Sequence, residues 1–299
     1  LKQEMLPVGG TVLENNHGTA PGAALEKNGK CVIILPGPPG ELVPMFNESV
    51  RGFLKKYSDG AIVSHTVNII GMGESSVAEE IEDMFDAKNP TVAPYAKSGE
   101  VRLRITAKAE TADEADKMCA PVVDEICSRL GDVVYGTDMN SIEERIVALL
   151  KEKGKKIATA ESCTAGYIPK RLTDIPGASE VFECGIVSYS NDIKTKLLGV
   201  SPKTLDTYGA VSEQTAREMA LGAKRVSGAD IAISTTGLAG PGGDGILPGG
   251  LSFAAVTDGE RTVVEKIVTG HENDREYNRY VTASRALNLA RLMLEEKIK

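Results

Sequence analysis

Short apolar runs alternate with amphipathic segments along the whole chain. Runs of about four to eight apolar residues predict buried strands, and apolar residues repeated every three or four positions predict helices. The expected strands are 31–35, 65–70, 100–106, 156–159, 181–190, 229–235, 250–257 and 261–268. The expected helices are 41–54, 75–85, 112–130, 141–152, 167–172, one from 191, 212–226 and 273–298. This alternation predicts an α/β fold.

The turn-rich stretch 135–138 indicates a domain boundary. Residues 136–299 are expected to form a three-layer α/β/α domain, residues 57–135 a small α/β domain, and residues 1–56 part of a further α/β domain.

The composition is typical of a soluble protein, with 41% hydrophobic and 25% charged residues. No apolar run approaches the length of a membrane span, and no signal-peptide pattern opens the chain. The five cysteines are scattered without CxxC spacing, which favours a reducing cytoplasm and argues against disulfides or a zinc site.

The charge balance argues against nucleic-acid binding as the main role. The net charge is −8, and residues 60–135 hold seven Lys or Arg against fourteen Asp or Glu. An RNA-binding KH module would need a basic surface and a Gly-x-x-Gly clamp, and this segment has neither.

A carboxylate, a hydroxyl and a thiol stand where a predicted strand gives way to a predicted helix, in Glu161, Ser162 and Cys163. Free N–H groups and the positive end of the helix dipole are expected to face an oxyanion or phosphate bound beside Ser162. The alternative is that Ser162 or Thr164 only caps the helix.

Two further strand exits carry polar or glycine-rich residues. Tyr189 and Lys194 follow the run 181–190, and the glycine-rich loop 237–243 follows the strand 229–235. Ligands collect at the carboxyl ends of strands in such sheets, so these exits are expected to face one crevice. The loop allows backbone N–H groups to approach an anion, although a simple turn is the alternative.

A serine nucleophile needs a base, and the only histidines are His17, His65 and His271. His271 alone lies in the C-terminal half, where a solvated loop position is the alternative. Lys194 is the preferred base, with Tyr189 relaying the proton from Ser162, although a lysine at a helix start is commonly a solvated charge. Cys163 is a rival nucleophile or a small buried hydrophobe.

Six ordered motifs closely resemble the carboxy-terminal domain of the CinA family. They are Ala160-Glu161-Ser162-Cys163-Thr164, Ser188-Tyr189-Ser190-Asn191, Leu197-Leu198-Gly199-Val200, Gly209-Ala210-Val211-Ser212, Thr236-Gly237-Leu238-Ala239-Gly240-Pro241-Gly242-Gly243 and Asp274-Arg275. This resemblance implies an amidohydrolase that deamidates nicotinamide mononucleotide to nicotinic acid mononucleotide and ammonia. It implies the nucleophile Ser162, activated by Tyr189 and Lys194.

The expected substrate-binding residues are Glu161, Cys163, Thr164, Thr236, Gly237, Gly240, Arg275 and Arg279. Arg275 and Arg279 are candidates for the mononucleotide phosphate, because a guanidinium matches phosphate in a bidentate fork. The alternative for both is a solvated helix face. No metal or other cofactor is expected for this domain.

Residues 1–56 resemble the later part of the molybdopterin-binding-like domain of the same family, so this upstream domain is expected to be incomplete. The resemblance rests on Lys2-Gln3-Glu4-Met5-Leu6-Pro7, Gly18-Thr19-Ala20-Pro21-Gly22 and Leu35-Pro36-Gly37-Pro38-Pro39-Gly40-Glu41. It implies a metal-dependent ADP-ribose pyrophosphatase for a complete domain. Because the chain opens inside a motif, we expect that activity to be absent or impaired. The middle part, including Gly71-Met72-Gly73-Glu74-Ser75, resembles the family's small KH-like linking domain.

The expected partner is a small pyridine nucleotide, without nucleic acid or membrane, in a cytoplasmic homodimer. A nucleotide-binding regulatory or scaffold protein without turnover is the alternative function. Release of ammonia would distinguish the two.

Overall fold

The computed structural model describes residues 5–97 and 99–298, and the chain separates into two compact units. One unit comprises residues 1–61 with 109–112, and the other comprises residues 62–108 with 113–299. Both mix helices and strands, so the α/β class predicted from the sequence is confirmed. Within the described residues, no helix is long and apolar enough to cross a bilayer.

The first unit holds a three-stranded antiparallel sheet and a helical segment. Its elements are β1 (Thr11–Leu13), β2 (Gly22–Lys27), β3 (Lys30–Ile34), α1 (Pro39–Met45) and α2 (Arg51–Leu54), with a π-helical turn at Phe46–Val50 between the helices. Leu13, Ala24, Met45 and Val50 form its core. The sequence pattern predicted β3 and the helical segment but missed β1 and β2, which lack a continuous apolar run.

A four-stranded sheet with two helices opens the second unit. Its elements are β4 (Ala61–Ile70), α3 (Glu74–Glu80), β5 (Thr91–Lys97), β6 (Glu100–Ala109), α4 (Ala112–Leu130) and β7 (Val134–Thr137), and the strand order is β5-β6-β4-β7. Buried residues of α4 recur at helical spacing. The thiol of Cys119 donates to the carbonyls of Val63 and Ile105, so α4 packs over β4 and β6. We call residues 62–137 the linking domain.

The rest of the second unit forms a five-stranded sheet between two helix layers. Its elements are α5 (Ile142–Lys153), β8 (Ile157–Glu161), α6 (Tyr167–Thr173), β9 (Phe182–Val187), α7 (Asn191–Leu198), α8 (Pro202–Tyr208), α9 (Glu213–Ser227), β10 (Ile231–Leu238), β11 (Leu251–Thr257), β12 (Thr262–Val268) and α10 (Arg275–Leu294). The strand order is β12-β11-β10-β8-β9, with β8 parallel to both neighbours and the other pairs antiparallel.

Alternate residues of β10 face opposite layers, as a strand's twofold period requires. Ile231 and Ile233 join the core formed with α5, α6 and α10, whereas Ala232 joins a smaller core with Met219 and Ala223 of α9. The three-layer arrangement follows from this alternation.

The parallel strands bring three strand ends to one edge of the sheet. Strand β8 lies between β9 and β10, so the chain leaves all three at the same edge. Short elements such as α8 and β7 were not predicted from the sequence, because each is too short to show a period.

Candidate active site

A pocket of about 320 Å³ lies where β8, β9 and β10 end. It is lined by Ser162, Cys163, Tyr189, Lys194, Ala210, Val211, residues 236–243 and Arg275. The three strand exits that the sequence analysis expected to face one crevice all contribute to this lining.

Ser162 begins a tight turn between β8 and α6, which we call the nucleophile turn (residues 162–166) after the role predicted for Ser162. The Ser162 N–H donates to the Thr235 carbonyl at 2.9 Å. The hydroxyls of Thr164 and Thr235 are 2.6 Å apart, which ties the turn to β10. Ala165 has φ 48° and Gly166 has φ 86°, so the backbone reverses sharply before the helix starts.

Glu161 bonds to the amino end of α6 and is not part of the pocket lining. It is 1% exposed, and its carboxylate accepts from the Ile168 N–H at 3.2 Å. Burial raises the pKa of Glu161, although the bond from the Ile168 N–H favours the charged form. The first two N–H groups of α6 are therefore not free to face a substrate anion, because the Ile168 N–H donates to Glu161 and the Tyr167 N–H donates to the Thr164 carbonyl.

Lys194 lies in the first turn of α7, which Ser190 caps by accepting from the Ile193 N–H. Although it stands at a helix start, Lys194 is only 1% exposed. Its Nζ donates to Ser162 Oγ at 3.1 Å and to the carbonyls of Ser188 at 2.9 Å and Tyr189 at 3.0 Å. Lys194 is thus not a solvated surface charge.

Burial lowers the pKa of Lys194, and among the described residues no carboxylate forms a salt bridge with it. A neutral amine has two N–H donors and one lone pair. If the carbonyls of Ser188 and Tyr189 accept the two N–H groups, the lone pair points at the hydroxyl of Ser162. In that arrangement the amine lies within hydrogen-bond distance of the Ser162 proton, with no group between them.

Tyr189 is placed differently from what a proton relay requires. Its carbonyl binds Lys194, while its side chain borders the pocket and the residue is 64% exposed. Within the described part of the chain, the Tyr189 hydroxyl makes no hydrogen bond. Because Lys194 contacts Ser162 directly, no intermediate group is needed between them.

Cys163 also borders the pocket but is 6% exposed. Burial raises the pKa of its thiol to about 12. The thiolate is the nucleophilic form of cysteine, so this thiol stays protonated and unreactive near neutral pH.

The glycine-rich loop forms part of the pocket lining. Gly240 has φ 92°, and a Cβ there would lie 2.4 Å from the Glu272 carbonyl, so only glycine fits. Gly237 and Gly240 both line the pocket. The Thr236 hydroxyl, also in the lining, donates to the Ala210 carbonyl at 2.6 Å.

The two arginine candidates lie in different surroundings. Arg275 lines the pocket, and its Nη1 donates to the Gly240 carbonyl at 2.8 Å. Arg279 lines a neighbouring cavity with Tyr167 and Arg275, and its Nη2 donates to the Thr164 carbonyl at 2.7 Å. Arg275 can therefore reach a ligand in the pocket, whereas Arg279 supports the nucleophile turn.

His271 is not part of the pocket. It is exposed, and its ring packs against Tyr277 at 4.4 Å between centroids. Among residues 5–97 and 99–298, no group of three or more His, Cys, Asp or Glu side chains is arranged to hold a metal ion.

Several contributors to the site were not identified from the sequence. They are the carbonyl of Ser188, the hydroxyl and carbonyl of Thr235, and the lining residues Ala210 and Val211. All but Thr235 belong to motifs that carried the family resemblance, which was the one available signal. Backbone carbonyls carry no side-chain signature, so their role needed the structure.

Comparison with known proteins identifies both parts of the second unit. The profile of the CinA C-terminal domain matches residues 139–294, and that of the damage-inducible protein CinA KH domain matches residues 64–136. A competence-damage inducible protein of Clostridium beijerinckii is 53% identical over 276 residues, covering 91% of this chain and 67% of that protein. A CinA-like protein of Desulfovibrio desulfuricans is 46% identical over 294 residues, covering 97% of this chain and 69% of that protein.

The chain spans about two thirds of the length of these curated relatives. The crystal structure of the competence/damage inducible protein CihA from Agrobacterium tumefaciens aligns at 39% identity with a TM-score of 0.49, covering 52% of this chain and 93% of that one. On the profiles and the curated relatives, this chain belongs to the CinA family.

Proposed function

We propose that this chain is an amidohydrolase that converts nicotinamide mononucleotide to nicotinic acid mononucleotide and ammonia. The observation that carries the proposal is the buried Lys194, whose Nζ lies 3.1 Å from Ser162 Oγ with two backbone carbonyls as its other partners. A lysine serves as a base only in its neutral form, and burial favours that form of Lys194 by lowering its pKa. The carboxamide substrate itself is implied by the family resemblance.

In the first half-reaction, Ser162 Oγ attacks the carboxamide carbon while its proton passes to Lys194 Nζ. The tetrahedral intermediate collapses when the C–N bond breaks, and Lys194 returns the proton to the leaving ammonia. In the second half-reaction, a water molecule attacks the acyl ester and gives its proton to Lys194. Ser162 then leaves as the alcohol, and the acid product is released.

The oxyanion of each intermediate needs hydrogen-bond donors. The Ser162 N–H is already bonded to Thr235, so it does not serve. We assign the oxyanion to backbone N–H groups of Cys163 and of the glycine-rich loop, which border the same pocket. Arg275, on the loop side, is the residue we assign to the mononucleotide phosphate.

Release of ammonia from nicotinamide mononucleotide by the purified chain tests the proposal, with Ser162→Ala as the matched control. If the parent chain and the Ser162→Ala variant both bind the mononucleotide and neither releases ammonia, the regulatory alternative is supported instead. Since Lys194 supplies the base, we expect turnover to persist in a chelator. Loss of activity in chelator that zinc restores would contradict this mechanism.

A further inference from the structure

A buried carboxylate of the linking domain bonds to a helix that supports the nucleophile turn. Glu100, at the start of β6, is 5% exposed. It accepts from the hydroxyl of Tyr135 in β7 at 3.0 Å and from the hydroxyl of Tyr280 in α10 at 3.2 Å. Burial and the charge of Glu100 raise the pKa of Tyr280 to about 12, so this hydroxyl remains a donor near neutral pH.

Tyr280 belongs to a set of interleaved side chains that we call the arginine–tyrosine stack, formed by Tyr167 and Arg171 of α6 with Arg279 and Tyr280 of α10. The Arg171 guanidinium lies 4.6 Å from the centroid of the Tyr280 ring, and the Arg279 guanidinium lies 5.7 Å from that of Tyr167. The rings of Tyr167 and Tyr280 meet edge to face at 6.4 Å.

Arg171 fixes the stack to the protein interior. It is 7% exposed, pairs with the buried carboxylate of Glu143, and donates to the Ser284 hydroxyl at 2.8 Å. Its Nη1 also donates to the Tyr280 carbonyl at 3.3 Å. The position of Tyr280 is therefore coupled to the position of α6.

The stack ends at the nucleophile turn. Arg279 is next to Tyr280 in α10, and its Nη2 holds the Thr164 carbonyl at 2.7 Å, two residues after Ser162. Tyr167 is the first residue of α6, directly after the turn. Contacts from Glu100 to the turn are thus continuous through Tyr280 and Arg279.

We propose that Glu100 is a positioning residue for the active site, so that the linking domain sets the geometry of the nucleophile turn through Tyr280. The kinetic part of this inference rests on the proposed deamidase function. Its structural part does not, because the order of the nucleophile turn is measurable without turnover.

Two tyrosines bonded to the same carboxylate provide a matched pair of variants in the full chain. Tyr280→Phe removes the hydrogen bond between Glu100 and the arginine–tyrosine stack. Tyr135→Phe removes the hydrogen bond that Glu100 makes within the linking domain. Each deletes one oxygen atom and one hydrogen bond to Glu100, which is buried for Tyr135 and partly buried for Tyr280, so we expect a decrease in Tm in both variants that is no larger for Tyr280→Phe. Hydrogen exchange of the amides of residues 163–168, followed by mass spectrometry, reports on the nucleophile turn directly.

In Tyr280→Phe, we expect the amides of residues 163–168 to exchange faster. We expect kcat to fall about fivefold with KM nearly unchanged, because a displacement of reacting groups by about 1 Å lowers the reaction rate by up to about a hundredfold. In Tyr135→Phe, exchange in that segment and kcat should match the parent protein. Equal exchange in the two variants would overturn the inference. If the parent protein releases no ammonia, the proposed function fails, and the exchange comparison still decides this inference.

Discussion

Lys194 Nζ and Ser162 Oγ are 3.1 Å apart in the interior of the protein, although 32 residues separate them in the chain. Each residue follows a different strand of the same parallel pair, β8 and β9. The contact joins an amine whose pKa is lowered by burial to a hydroxyl at the edge of a pocket.

Ser162→Ala should lower kcat by at least about 1,000-fold while leaving substrate affinity within a few-fold, because a nucleophile acts mainly in the transition state. Cys163→Ala is the matched control at the adjacent position and should have a mild effect, since its thiol stays protonated. Steady-state ammonia release and equilibrium binding measure the two quantities. The reverse ranking would assign the nucleophile to the thiol.

Lys194→Arg should lose turnover by about 100-fold or more, as Lys194→Ala should, because arginine keeps the charge but does not accept a proton near neutral pH. Affinity should change little in either variant. Two other results together would make Lys194 a phosphate ligand instead. The arginine variant would keep its turnover, and the alanine variant would bind the mononucleotide more weakly while binding the phosphate-free nucleoside as well as the parent protein does.

The pH profile of kcat/KM should show one ionisation assigned to Lys194. The base is active only when neutral, so activity should rise with pH below the pKa of Lys194 and level off above it. Because burial lowers that pKa, the midpoint should lie below the ordinary lysine value of about 10.4. Initial rates measured at subsaturating substrate across this range check the prediction, and a profile that falls with rising pH would contradict it.

Lys194→Met should raise Tm by about 2–4 °C while abolishing turnover, because it removes the cost of burying an ammonium group. The pKa of Lys194 is lower in the folded chain than in the unfolded chain, where it is about 10.4. Between these two pKa values the unfolded chain binds more protons than the folded chain, so the free energy of unfolding of the wild type should rise with pH relative to that of the variant. The advantage of the variant is therefore largest below the folded-state pKa. Thermal unfolding followed by circular dichroism at several pH values measures it, and a less stable variant would show that Lys194 contributes to folding.

Arg275→Ala should raise KM for nicotinamide mononucleotide by about tenfold or more, since a charge-assisted bond to phosphate contributes about 1.5–3 kcal/mol. KM for the nucleoside, which lacks the phosphate, should stay the same. Arg275→Lys provides the control that keeps the charge but loses the planar fork. An equal effect on both substrates would exclude a phosphate role for Arg275.

The main elements of the C-terminal domain were predictable because each shows its own period. Apolar runs marked β8 to β12, and amphipathic spacing marked α5, α9 and α10 within a few residues. Polar residues at the strand ends also predicted a shared crevice, and a pocket lies at the ends of β8, β9 and β10, since parallel neighbours open at the same edge of the sheet.

The sequence by itself determined which residues stand at the strand exits, whereas the tertiary structure decided what each of them contacts. The same local pattern is compatible with an exposed or a buried Lys194, and its burial depends on how α7 and the end of β9 pack beside the nucleophile turn. The sequence analysis placed Glu161 among the substrate-binding residues. In the structure its carboxylate instead accepts from the Ile168 N–H at the start of α6, because the turn after β8 brings that helix end beside it. Contacts between distant segments have no period, so they become defined only when the sheet is assembled.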